Sequence, residues 1–284
     1  MKRLFYFWLL LFPFLSCSDR NKSDLYDYQS KQIIDLTEPS DGLDIIDRIQ
    51  SIDVLDLTVE ESWVHLRYPR MQVSDEGYFF LSDKTDFLIG YDKSGNLKFA
   101  KSIKGRGRGE IVSVGNFTVR KDSLLIYDRV LGRMLYYTED GNFRSFLNST
   151  EVKAELLYKA NGRFWGLSIF GDREFDNHYC VKYNNDGSAL NNYLILPPYL
   201  KGYNFSIGYT DMSYMFHDTL RFMVMHDYNI FSLTDNGLES SFRFKSNHEM
   251  PRDYFDGMTG FEMMNPEITV KTMNEGFTGS FSEI

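Results

Sequence analysis

The 284-residue chain sets 31 Lys and Arg against 40 Asp and Glu, a formal net charge of -9, with 43% hydrophobic and 16% aromatic residues. That acidic balance disfavours nucleic acid and anionic membrane faces as partners, while the apolar content is ample for a packed core and its aromatic excess favours strands. Its two cysteines, Cys17 and Cys180, supply neither a disulfide framework nor a CxxC metal site.

The first element is a leader. Lys2 and Arg3 precede twelve apolar residues, Leu4 to Leu15, and then Ser16 and Cys17. The run is shorter than the ~20 residues needed to span a bilayer, so residues 1–16 are predicted to be a cleaved signal peptide. Leu15-Ser16-Cys17 resembles the lipobox of bacterial lipoproteins, which implies acylation of Cys17 and attachment to the lipid bilayer, on the periplasmic side or at the cell surface. An ordinary signal peptide with a chance cysteine is the alternative. Removing residues 1–16 leaves 29 basic residues against 40 acidic ones, a charge of -11. Residues 17–32 are then a lipidated Cys followed by a polar, flexible tether, and residues 33–284 form the folded domain.

Four turns recur along that domain: YDKSGNL (91–97), YTEDGNF (137–143), YNNDGSA (183–189) and LTDNGLE (233–239). Their glycines, Gly95, Gly141, Gly187 and Gly237, stand 46, 46 and 50 residues apart. Apolar residues precede each glycine by four and by six positions, the period of a strand running into a hairpin. A second apolar run lies upstream of each turn, at 78–81, 124–127, 164–167 and 220–224, bounded by polar breaks. Each period therefore holds about four short strands. Four strands per ~40–50 residues predicts an all-β fold, a β-propeller of four-stranded blades at about 67–103, 112–150, 152–197 and 209–246. A sandwich or barrel would not require Tyr-x-x-x-Gly to return at nearly fixed spacing.

Three stretches carry a family resemblance: IIDRIQSIDVLDLTVEES (45–62), FFLSDKTDFLIGYDKSGNLKF (79–99) and KGRGRGE (104–110). They are similar to the six-bladed, NHL/TolB-like β-propeller lipoproteins of Bacteroidetes, with Arg108 standing where family members often carry Pro. The resemblance implies a six-bladed ring whose last blade is closed by a strand at 45–57. About four complete blades are present. Residues 250–284 are predicted to hold an inserted helix or loop and then the start of a fifth blade, with strands at Ile268–Met273 and Phe277–Phe281. An incomplete six-bladed ring follows as the expectation, with a five-bladed ring, or a truncated and non-functional family member, as alternatives.

Between the first two blades lies SIKGRGRGEI (102–111). A phosphate-binding loop would need G-x-x-x-x-G-K-[ST] feeding a helix, whereas Glu110 and a strand-like run follow here. The segment reads as a crossover, its glycines allowing a tight turn from rim to axis. Crossovers share one face of a propeller with the B-C loops, and that face would gather Lys84, Arg106, Arg108, Arg129, Arg173 and His226. Such a basic cluster suits a carboxylate or sulfate on a glycan, peptide or partner protein. In the bland alternative the arginines pair with Asp83, Asp86, Asp128 and Glu110.

No catalytic constellation emerges. His65, His178, His217, His226 and His248 have no i, i+2 or i+4 ligand spacing, no G-x-S-x-G elbow is present, and Cys180 sits within a strand as a core residue. The expectation is a lipid-anchored binding or scaffold module without cofactor or metal. The alternative is a metal-assisted, NHL-like lyase or hydrolase with a divalent ion at the axis.

Overall fold

The computed structural model describes residues 30–37, 54–57, 69–82, 87–120, 122–148, 152, 154–168, 178–195, 213–216, 218–224, 227–234, 237–251, 254–259, 262 and 265–275. A short strand β1 (Gln32–Asp35) precedes four antiparallel sheets. Blade 1 is β2 (Pro69–Val73), β3 (Tyr78–Ser82), β4 (Phe87–Tyr91) and β5 (Leu97–Ser102). Blade 2 is β6 (Val114–Arg120), β7 (Ser123–Asp128), β8 (Arg133–Thr138) and β9 (Phe143–Asn148). Blade 3 is β10 (Leu156–Ala160), β11 (Arg163–Leu167), β12 (His178–Tyr183) and β13 (Ala189–Ile195). Blade 4 is β14 (Ser213–Phe216), β15 (Thr219–Met223), β16 (Asn229–Thr234) and β17 (Gly237–Lys245). In each sheet the strands lie side by side in chain order, the meander of a propeller blade.

The blades pack face to face, and the sequence of β7 explains how. Leu124 and Ile126 join Phe79, Leu81 and Leu88 of blade 1 in one buried cluster, while Leu125 and Tyr127 join Leu157, Phe164 and Val181 of blade 3 in another. A blade covered on both faces must be apolar at consecutive positions, which is why SLLIYD shows no polar alternation. Blade 3 repeats the pattern, turning Trp165, Leu167 and Cys180 toward Leu220, Phe222 and Phe231 of blade 4. Each such side chain contributes about 1.5–3 kcal/mol by leaving water. The first strands lie nearest the neighbouring blades, β2 beside β6 and β6 beside β10.

The recurrent hairpin turn has one geometry in three blades. In blade 2 the Thr138 amide donates to Asn142 O at 2.8 Å and the Gly141 amide to Thr138 O at 2.9 Å, with a bulge between Tyr136 and Tyr137. Gly141 holds φ at +71°, and a Cβ there would lie 2.5 Å from the Phe99 ring of blade 1. Glycine thus serves both the turn and the interblade contact. Asp92 with Asn96 and Asn184 with Ser188 repeat the bond pattern in blades 1 and 3.

Two segments depart from expectation. Ile268–Met273, predicted as a strand from its β-branched residues, lies inside helix α1 (Pro266–Asn274). Terminal signals outweigh propensity here: Asn265 Oδ1 caps the Glu267 amide at 3.0 Å, Pro occupies the first helical position, and Lys271 stands in the last turn. Ile268 packs against the blade 3–blade 4 cluster beside Met250 and Phe255. Phe277–Phe281 lies outside the described residues.

The closing strand expected at 45–57 is also corrected over its described part, since residues 54–57 form no strand. Leu57 instead packs beside Ile89 and Tyr91 on the face of blade 1 turned away from blade 2. It is β1, starting in the stretch read as tether, that joins blade 4, pairing parallel with β17 from Gln32↔Phe242 to Asp35↔Lys245. Backbone bonds from Lys31 N to Ser240 O and Leu36 N to Lys245 O bracket the pairing. Lys31–Glu239 and Lys245–Asp35 ion pairs and the Asn247 amide on Thr37 O fasten it. No helix among the described residues is long and apolar enough to cross a membrane.

Candidate functional site

The crossover from β5 to β6 is held from inside. Its ends meet in a parallel bridge between Lys104 and Ile111, with Gly105 N donating to Ile111 O at 2.8 Å and Ile111 N to Ile103 O at 2.6 Å. Within that closure the Glu110 carboxylate turns back and accepts the Gly107 amide at 2.7 Å. Gly105, at φ +146°, leaves room for it: a Cβ there would stand 2.1 Å from Glu110 Oε2. A carboxylate of the chain itself therefore lies against Gly105 and Gly107 and accepts the loop amide that an incoming anion would otherwise meet.

Blade 2 fixes the loop from below. Arg133, buried at the start of β8, donates through Nη2 to Gly107 O at 2.8 Å and to Glu110 O at 2.6 Å, with its guanidinium 5.5 Å from the Phe146 ring centre. Tyr137 donates its hydroxyl to Gly109 O at 2.5 Å. Burial raises the Tyr137 phenol above its ordinary value, so it remains a donor across the neutral range. The next loop of blade 2 is tied to the same crossover. The buried Asp128 carboxylate accepts Val112 N at 2.9 Å and Val130 N and Leu131 N at 3.1 Å each, and Arg129 bonds Ser113 through its amide and its Nε.

Of the residues predicted to form a basic face, the structure therefore brings Arg129 beside the crossover that carries Arg106 and Arg108, and all three are exposed. Lys84, Arg173 and His226 lie outside the described residues, as does Cys17. Among the described residues no acidic side chain bonds Arg106 or Arg108. Two of the acids expected to neutralise them, Glu110 and Asp128, are occupied with backbone amides instead. Arg133 has no motif in the sequence and Tyr137 appears there only as the tyrosine of the repeated turn, and neither signal reveals a target 23 to 28 residues upstream.

Two other chemistry-bearing groups among the described residues, Cys180 and His178, are buried. Cys180 is fully buried among Trp165, Leu167 and Tyr193, and burial pushes its thiol far up. His178 is buried at the start of β12. Among the described residues no three His, Cys, Asp or Glu side chains approach closely enough to hold a metal ion.

With four antiparallel meanders packed around their first strands, the architecture is that of a propeller, and the family model described as a 6-bladed β-propeller, DUF5128, matches residues 20–274. The chain belongs to this family. No curated protein matches it. Among solved structures, this propeller is similar to a protein of Bacteroides fragilis NCTC 9343 described as exported, at 17% identity over 76% of this chain and 61% of the other, with a TM-score of 0.64. Virginiamycin B lyase from Staphylococcus aureus matches at 15% identity over 66% and 57% of the two chains, with a TM-score of 0.40. A duf4221 family member from Bacteroides vulgatus ATCC 8482 matches at 12% over 63% and 58%, also at 0.40. The chain thus spans about six-tenths of the length of these structures. The described residues of this propeller hold four blades.

Proposed function

We propose that this propeller is a lipid-anchored, extracytoplasmic binding module that recognises a carboxylate or sulfate group on a glycan, peptide or partner protein. The observation that carries the reading is the pair Arg106 and Arg108, exposed two residues apart on a loop held through its Gly107 amide by Glu110 and through its Gly107, Gly109 and Glu110 carbonyls by Arg133 and Tyr137. A loop fixed in this way keeps its guanidinium stems anchored before binding, which lowers the entropy cost of capture. Because Glu110 already holds the Gly107 amide, the groups the loop offers an anion are chiefly the two guanidinium side chains. Arg129, tied to Ser113, extends the basic surface on the blade 2 side.

Anchoring rests on Leu15-Ser16-Cys17 behind a short apolar leader, and the resemblance to a protein described as exported agrees with that location. Two or more acyl chains on Cys17 would hold the module at a membrane surface without a spanning helix.

An array of sulfated and carboxylated glycans and acidic peptides, probed with the wild type and with Arg106→Ala/Arg108→Ala, tests the reading. Each charge-assisted contact is worth about 1.5–3 kcal/mol, so the double variant should lose tenfold or more in affinity while its thermal melt stays unchanged. Equal binding by both proteins sinks the assignment.

A further inference from the structure

The outer edge of blade 4 carries an unusual surface. β1 is exposed along its whole length, and its apolar side chains Ile33, Ile34 and the following Leu36 are 64%, 38% and 38% exposed. Side chains of successive strand residues point to opposite faces, so Ile33 and Ile34 flank the sheet edge on both sides. An exposed apolar edge strand is a liability that proteins blunt with charge, proline or a cover. The charges here are internally matched: Lys31 pairs with Glu239 and Lys245 with Asp35, leaving the isoleucines as the outward feature. Leu97 and Leu190 are exposed singly on β5 and β13, while Met71, Val73, Tyr214 and Phe216 lie on the blade faces of the two ends of the array, surfaces of the kind blades bury against each other; Ile34 shares the face of Tyr214 and Phe216, and Ile33 points to the opposite one.

We propose that the β1 rim is the membrane-facing edge of this propeller, with Ile33, Ile34 and Leu36 seated in the interfacial region of the phospholipid bilayer that anchors Cys17. The inference rests on the lipid-anchor reading above. Residues 18–31 separate Cys17 from β1, a segment that reaches about 50 Å when fully extended and averages roughly 20 Å as a coil. The anchor therefore reaches β1 through a shorter length of chain than any other described strand. Because the mature chain is strongly acidic, electrostatic attraction to an anionic leaflet is absent. Apolar contact at the tethered edge is the term available to orient it. Docking on this edge turns the blade 4 rim to the membrane and leaves the crossover between blades 1 and 2 open to solvent.

The acylated full chain, reconstituted in phosphatidylethanolamine–phosphatidylglycerol vesicles, provides the test. A fluorophore sensitive to polarity is attached at Ile33→Cys, at Leu36→Cys in a second variant, and at Val130→Cys on the blade 2 loop as reference, Cys180 being buried. Emission from positions 33 and 36 should shift to shorter wavelength and resist an aqueous quencher, while position 130 stays fully quenched. Equal quenching at 33, 36 and 130, with the acylated N-terminal peptide confirmed by mass, overturns the orientation and leaves the anchor intact. An N-terminal peptide without acyl chains overturns both. Shielding of position 33 in acyl-free protein that grows with protein concentration assigns the edge to a second copy and also overturns the proposal.

Discussion

The carboxylate of Glu110 accepts the backbone amide of Gly107 at 2.7 Å, closing the Gly-Arg-Gly-Arg-Gly crossover on itself. This bond disfavours a phosphate at the Gly107 amide, because the amide already has an acceptor and a second anion would be repelled by the carboxylate. What the loop offers outward is its arginines.

Replacing Glu110 distinguishes the bond from the charge. Glu110→Gln keeps an oxygen acceptor for Gly107, whereas Glu110→Ala removes it and should cost about 0.5–1.5 kcal/mol. Hydrogen exchange across residues 103–113 should accelerate in the alanine variant and change little in the glutamine variant.

Arg133 bears more of the load than its neighbours. Its Nη2 serves two carbonyls from a buried position, so Arg133→Met leaves both without their charged donor and should destabilise the protein by about 2–4 kcal/mol. Tyr137→Phe loses one bond, to Gly109 O, at about 1 kcal/mol. Urea titrations of the two variants should rank them in that order, and the reverse ranking would refute the account of the loop.

Cys180 reports on the fold and not on chemistry. Its thiol is buried and its ionisation pushed far up by loss of hydration, so a thiol reagent should not label it in the native protein at neutral pH. Labelling should follow the urea unfolding curve. Prompt native labelling would contradict the packing of blade 3 against blade 4.

Acid should loosen β1. Asp35 has its carboxyl held at about 2, chiefly by the Thr37 hydroxyl and then by the Thr37 amide and Lys245. With the folded value depressed, this contribution is fully present above the ordinary carboxylate range near 4 and is lost as pH falls through about 2. The Asp35 carboxyl carbon resonance should titrate with a midpoint near 2, and Thr37→Val should raise that midpoint.

Much of the architecture was legible because it is dictated locally. A glycine at positive φ four residues after an apolar position marks the bulged hairpin at Gly95, Gly141 and Gly187, whereas Gly237, also at positive φ, opens β17 without a bulge beside it. Runs such as SLLIYD, apolar on both faces, require neighbours on both sides, which only stacked blades or layered sheets supply. The crossover itself was legible from its three glycines and the strand-like run after Glu110, and the structure places it between β5 and β6.

Long-range partnership was decided in three dimensions. Glu110 and Asp128 looked like counterions for the arginines, yet both satisfy backbone amides, because a tight loop has donors that must be met and only the folded path shows which acceptor is nearest. Ile268–Met273 read as strand by its β-branched residues, but Asn265, Pro266 and contact with the blade 3–blade 4 cluster made it helix. Residues Lys31 and Gln32 read as tether, being polar. Their alignment with Ser240 and Phe242, more than 200 positions away, turned the end of that tether into a fifth strand of blade 4, since a sheet edge recruits whichever chain the fold delivers to it with matching charges.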